Sequence, residues 1–287
     1  MIMHPYENIK ISLLTKHMKE KVIAPKFLKM LNAEIIHTNA FDTDELGTFT
    51  RDKARYGNQL DAARRKAIIG MEITGLKYGI ASEGSFTSDP FIGLLPWNHE
   101  IVIFIDNNLG IEVIGSSKAA AMSSQSKIRN WKELAKFARL NKFPRHHLVL
   151  RPDDEKHPVF QKGISNRVVL EEAFNEAIKL SKTKKVYVEH DLRAHANPTR
   201  MKNIANATTD LINKLKSLCP NCHTPGFQIT KVKPGLPCAM CGMQTRETFE
   251  KIFTCNICDY ERSDFVKKRK ADPVSYTHLT LPTIYSV

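Results

Sequence analysis

All six cysteines of this 287-residue chain fall in its last quarter as three CxxC pairs, Cys219/Cys222, Cys238/Cys241 and Cys255/Cys258, separated by fifteen and thirteen residues. A CxxC turn can aim two thiolates at one point about 2.3 Å from each sulfur, and two such turns close a tetrahedral Zn²⁺ site. The flanks agree, since "CPNCHTPGF" and "CAMCG" supply the Pro and Gly of a tight metal knuckle. No pair opens a helix in the manner of a redox CxxC, and an expected reducing compartment disfavours disulfides. Two Cys₄ sites would need eight thiolates, so six complete one site and leave two over. His223 adjoins Cys222 and could serve as a further ligand, although a residue adjacent to a knuckle cysteine is expected to point away from it. Spacing alone leaves open which pairs share an ion. A Cys₄ site is closed to water, so its expected role is structural.

The last fourteen positions, Val274 to Val287, carry no Lys, Arg, Asp or Glu in a chain that is 25% charged. "VSYTHLTLPT" matches a one-frame translation of the transposase adapter used in sequencing libraries. This stretch is therefore expected to be an adapter scar on a truncated gene, and it is set aside from fold reasoning.

The rest of the chain is long enough for one large core and a small satellite domain. No apolar run approaches the roughly 20 residues of a membrane span, and "MIMHPYENIKISLL" lacks the ordered regions of a signal peptide. The expectation is a cytoplasmic protein without a membrane partner. The net charge of +13 is spread along the chain, with short clusters at Arg64-Arg65-Lys66 and Lys267-Lys268-Arg269-Lys270. Such runs more often form a solvated face than a nucleic-acid groove.

Strand-like and helix-like stretches alternate from the start, the pattern of an α/β domain. Strands are expected at 10–15, 34–37, 78–81, 100–106, 111–117, 146–151 and 185–190. Residues 107–110, "NNLG", are expected to turn a hairpin. Helices are expected at 19–32, begun or interrupted near Pro25, and at 60–75, 131–141, 167–181 and 198–217. The expected architecture is α/β, a mixed or mainly parallel sheet flanked by helices over 1–217. A small zinc-ribbon-like module follows at 218–273.

Four polar segments interrupt this pattern near strand ends, where open α/β sheets bind ligands. In "LLTKHMKEK", Thr15, Lys16, His17 and Lys19 cross from strand to helix and suit phosphate, without the glycines of a P-loop. "FDTDELGTFTRD" carries Asp42, Asp44, Glu45 and Asp52, either solvated turn acids or ligands for Mg²⁺. "IASEGSF" puts Glu83 and Gly84 directly after a buried strand. In "VEHDLRAHANPTR", Glu189 and Asp191 are expected on one strand face, with Arg193 and Arg200 following. No GxSxG, GxGxxG or HExxH occurs.

The segments "TKHMKEKVIAP", "DTDELGTF", "GIASEGSF", "DLRAHANPTRMKNI" and "CPNCHTPGF...KPGLPCAMCG" together resemble a bacterial family catalogued as a domain of unknown function. The resemblance runs from about residue 10 to 273. It implies two Cys₄ sites, the second completed by a further CxxC after "KADP", and implies no activity. Lys16, His17 and Lys19, then Gly-Thr-Phe with Asp52, then Glu83-Gly84-Ser85, bear a distant similarity to the house-cleaning nucleoside triphosphate pyrophosphatases. In those enzymes a Ser/Thr-Gly-Asn-x-x-Lys turn holds the triphosphate and acids bind Mg²⁺. Here Lys16 replaces the Gly, His17 the Asn, Lys19 comes one residue early and Asp52 one late.

Two functional expectations follow. In one, the chain is a Mg²⁺-dependent hydrolase or a binder of a phosphorylated small molecule or nucleotide. Lys16, His17, Lys19, Arg193 and Arg200 would hold phosphate, while Asp42, Asp44, Asp52, Glu83, Glu189 and Asp191 would hold metal or act as base. In the other, the zinc module grips nucleic acid or a protein without catalysis, although its aromatics are few (Phe227, Phe249, Phe253, Tyr260) and each Cys₄ zinc site is formally anionic.

Overall fold

The computed structural model describes residues 4–43, 57–89, 93–267 and 270–273. The chain divides into two units, one ending at Ile212 and the next starting at Asn213. The segment 274–287, expected to be adapter sequence, lies outside the described residues.

The first unit holds two sheets. The larger has the order β2-β1-β3-β4-β5, built from β1 (Lys10–Leu14), β2 (Glu34–Thr38), β3 (Tyr78–Ser88), β4 (Pro96–Asp106) and β5 (Ile111–Ala120). β1 runs parallel to both β2 and β3, whereas β3, β4 and β5 form an antiparallel meander. The sheet is thus mixed. Helix α1 (Glu20–Leu31) connects β1 to β2, and α2 (Gln59–Thr74) precedes β3. Pro25 neither starts nor breaks α1, which begins five residues earlier and continues through it.

Alternation along β4 sorts the two faces. Ile101, Ile103 and Ile105 meet Ala63, Ala67 and Met71 of α2, whose small residues let helix and sheet approach closely. The opposite face receives α5 (Pro198–Lys216), whose Asn203 donates to Asn98 of β4. A Cβ on Gly115 of β5 would run into the backbone of α5 at Ala207 and Leu211, so glycine is needed there. α1 lies beside α5, with Lys26 Nζ donating to the Thr209 hydroxyl at 2.8 Å.

The second sheet is antiparallel throughout, in the order β6-β9-β7-β8, from β6 (Gln125–Ile128), β7 (Leu148–Pro152), β8 (Gln161–Ile164) and β9 (Val186–His190). Helices α3 (Trp131–Leu140) and α4 (Arg167–Leu180) bury Leu134, Leu170 and Phe174 against Leu148, Leu150, Val186 and Val188. Each starts at an asparagine whose side chain accepts an amide of the first turn, Asn130 and Asn166. Sequence periodicity missed β6 and β8 because "QSKI" and "QKGI" are short and polar.

The second unit carries a three-stranded antiparallel sheet, β10 (Gln228–Pro234), β11 (Thr248–Thr254) and β12 (Glu261–Phe265). Its small core is Cys219, Phe227 and Cys255. No helix among the described residues is long and apolar enough to cross a membrane.

Candidate functional site

In the larger sheet the strand order reverses at β1, which has β2 on one side and β3 on the other. Such a reversal opens a crevice at the carboxyl ends of the strands concerned. β3 extends well past the end of β1, because Leu13 pairs with Ile80 and β3 continues to Ser88. Ser82, Glu83 and Gly84 therefore overhang the turn that carries Thr15 to Lys19.

Lys19 caps the start of α1 and is 6% exposed, with Nζ donating to the Ser82 carbonyl at 2.7 Å. Glu83 points to the α2 face and pairs with Lys66 in a contact that is nearly sealed from solvent. Glu100 points to the other face, where its Oε1 accepts from Arg200 Nε at 2.7 Å and from Asn98 Nδ2 at 2.9 Å. Both side chains of that pair are buried, at 2% and 0% exposure. Arg200 also donates to the Leu192 carbonyl at 2.6 Å, and Asn197 accepts its backbone amide. A Cβ on Gly84 would collide with the Glu100 carboxylate and the Arg200 guanidinium, so a glycine lets them close over the strand.

Three cations, Lys19, Lys66 and Arg200, thus share a buried neighbourhood with two carboxylates, Glu83 and Glu100. Burial, with Arg200 and Lys66 adding to it, outweighs the two carboxylates and pushes the Lys19 amine down to about 8. Burial pushes the Glu83 carboxyl up, but Lys66, Lys19 and Arg200 overcome it and hold the group below its usual range. Among the described residues, two buried oxygens here, Ser82 Oγ and Glu100 Oε2, have no hydrogen-bond partner.

The remaining residues expected in a site separate into nearby and distant ones. Lys16 pairs with Asp42 at 2.9 Å, so this acid neutralises a cation at the strand end. Asp44 and Asp52 lie outside the described residues. The 3₁₀ turn Ala194–Ala196 brings the His195 ring onto His17, with centroids 5.2 Å apart and planes at 27°. Burial, then Arg193 and His17, push His195 down to about 4, so that ring is neutral at pH 7.

Glu189 and Asp191 do not form a paired-acid site. β9 ends at His190, and Asp191 is buried beyond it. Asp191 accepts from the Arg193 guanidinium and from the Gly163 amide at 3.0 Å, while Glu189 faces Arg151 across the sheet at 3.5 Å. Sequence reasoning also missed two residues of the cluster. Lys66 was assigned to a solvated basic run, although its place between Ala63 and Ala67 on the apolar stripe marked it. Glu100 was taken only as the start of a strand, although an acid entering a wholly apolar run needs a partner.

In the second unit the first and third CxxC pairs come together. The Sγ atoms of Cys219, Cys222, Cys255 and Cys258 lie within 4.8 Å of one another. Cys219 is 3.7 Å from Cys258 and Cys222 is 3.6 Å from Cys255. A tetrahedron with metal–sulfur bonds of about 2.3 Å has edges of about 3.8 Å, so the four thiols fit one ion. Both knuckles turn alike: His223 donates its amide to the Cys219 carbonyl at 2.9 Å and Asp259 to that of Cys255 at 3.1 Å. Cys238 and Cys241 form a third knuckle of the same kind, closed by Gly242, and Ala239 and Ala271 pair beside it. Among the described residues, the first four cysteines named are the only group spaced for a metal.

No curated protein and no solved structure matches the chain. A family model does match, over residues 66–279, a span that includes Lys66, Glu83, Glu100, Arg200 and all six cysteines and runs past Pro273. The chain belongs to the family described as a domain of unknown function, DUF6671.

Proposed function

We propose that the first unit binds a phosphorylated small molecule, of which a nucleotide is the leading class, at the carboxyl ends of β1 and β3. The observation that carries this reading is the charge imbalance around Lys19, where the buried Lys19 and Arg200 and the partly buried Lys66 meet two carboxylates. A buried charge without full compensation is costly, and an anionic ligand would supply the missing partner. Lys16 and Arg193 flank this region, each already matched to an acid, Asp42 and Asp191.

Mg²⁺-assisted hydrolysis does not follow from the described residues. Asp42 is engaged by Lys16 and Glu83 by Lys66, so they do not assemble a hard-cation site. No hydrolytic step is derived. For the four-cysteine cluster we propose Zn²⁺ in a structural role, because four thiolates leave no open position for water. The ribbon offers less to nucleic acid. Phe227 stacks on Phe253, and Lys233 and Arg262 are paired with Glu250 and Asp264.

Isothermal titration calorimetry with pyrophosphate and with adenosine triphosphate, at pH 8 in two buffers of different ionisation enthalpy, tests the reading. Lys19 is depressed in the free protein, so an anion that restores its charge must draw in a proton. Uptake of up to about half a proton per ligand is expected at pH 8. Affinity should weaken as pH rises through 8, because the amine then loses the charge that recruits the anion. Lys19→Met should abolish both the uptake and most of the affinity. Binding that is unchanged in Lys19→Met would remove this lysine from the site, and the absence of binding by either probe would end the proposal.

A further inference from the structure

The Phe143–Pro144 turn after α3 is shared by two adjoining cavities of opposite character. One, of about 400 Å³, is walled by Trp131, Ala138, Phe143, Pro144 and Leu170, with Arg139 and Arg167 also lining it. The other, of about 590 Å³, is lined by Lys142, Arg145 and His146 and by Pro198, Thr199 and Lys202 of the first turn of α5. Among the described residues, none of the five cations makes an ion pair with a carboxylate. This contrasts with the strand-end cluster, where Lys16, Lys66, Arg193 and Arg200 are all matched to acids.

Further features give these cavities a built character. α5 is nineteen residues long, and its positive end opens on the basic cavity. His146 is 4% exposed, bonds the Thr199 hydroxyl through Nε2 at 2.9 Å, and has no partner for Nδ1 among the described residues. In the apolar cavity the Trp131 indole is braced by Phe174 at 6.2 Å and lies under the Arg167 guanidinium at 5.9 Å. It is fixed before any ligand arrives. An aromatic platform beside a strip of unpaired cations matches a chain that alternates flat rings with negative charges.

We propose that this face binds single-stranded nucleic acid, with a base against Trp131 and Phe143 and the adjoining phosphates on Lys142, Arg145 and Lys202. Recognition of this kind tolerates any sequence, because every base has a flat face and no base edge is read. Three neutralised phosphates give an affinity that falls with salt at a log–log slope of about −2. The site is separate from the one around Lys19, so either can fail without the other.

The test is fluorescence anisotropy of a fluorescein-labelled ten-nucleotide oligothymidine with the full chain, between about 50 and 200 mM salt. The doubly reversed variant Lys142→Glu/Arg145→Glu should weaken binding at least about tenfold and flatten the salt slope. Trp131→Leu should weaken binding about fivefold or more and leave the slope unchanged. If Trp131→Leu lowers the melting temperature markedly, Phe143→Leu reads the stacking term in its place. The proposal is overturned if the parent chain does not bind, or if charge reversal has no effect. It is equally overturned if the aromatic variants bind as the parent does while long-chain polyphosphate competes fully, since the face would then be a plain polyanion site.

Discussion

The two units are held together by different physics. In the first, apolar side chains close the sheets against the helices, with Ile11, Leu13, Ile80, Ile103, Phe104, Leu148 and Leu150 all essentially sealed from solvent. In the second, β10 and β12 are exposed along almost their whole length, and among the described residues the buried apolar side chains are few, with Cys219, Phe227 and Cys255 clustered together. So small an apolar core cannot offset the ordering of the chain. The difference teaches that the first unit stores its stability in packing and can hold an uncompensated charge at its strand ends. With the proposed ion bound, the second unit would take its stability from the four thiolates that hold it.

Removing the metal should break that comparison most severely. A structural ion in such a site contributes on the order of 10 kcal/mol of apparent folding energy. A strong chelator, or Cys258→Ser, should therefore unfold the ribbon and leave the first unit intact, as read by limited proteolysis and by amide exchange of each unit. Cys241→Ser should keep one ion per chain by elemental analysis, because Cys241 is not one of the four clustered thiols. A ribbon that stays protected without metal would show that its packing is sufficient after all.

The next largest effect lies in the first unit. Glu100→Leu removes the buried carboxylate that accepts from Arg200 Nε, and should lower the urea stability of that unit by about 3–5 kcal/mol without changing the metal content. Gly115→Ala presses a methyl into the backbone of α5 and should cost about 1–3 kcal/mol, at the upper end because backbone cannot step aside. Asn58→Ala removes the capping box of α2, in which Asn58 accepts from Leu60 and Asp61 and Asp61 accepts from the Asn58 amide, for about 1 kcal/mol. Each of the three should shift only the first unit's transition.

Much of the local structure was legible in the residues. The hairpin β4–β5 followed from two apolar runs around "NNLG", and α5 from a proline start and a regular apolar stripe. Glu83 was expected directly after a strand at 78–81; β3 instead runs on to Ser88, so Glu83 lies within the strand, where it overhangs the end of β1. The antiparallel second sheet was not legible, since β6 and β8 gain their strand character only from pairing with β9 and β7. Nor were the partners of Glu83 and Arg200, which come from an exposed-looking basic run and from the polar edge of a strand.

By itself, the sequence determined the knuckles, the helices and the main strands, because each depends on spacings of a few residues that the chain cannot escape. Tertiary structure alone decided that Cys255 and Cys258 join Cys219 and Cys222 rather than Cys238 and Cys241. It also decided that Lys19, Lys66, Glu83, Glu100 and Arg200 share one buried neighbourhood, and that Glu189 and Asp191 do not. The physical reason is range: a thiol or a buried charge is satisfied by whichever group the sheet register carries to it, and strands and helices distant in the chain set that register.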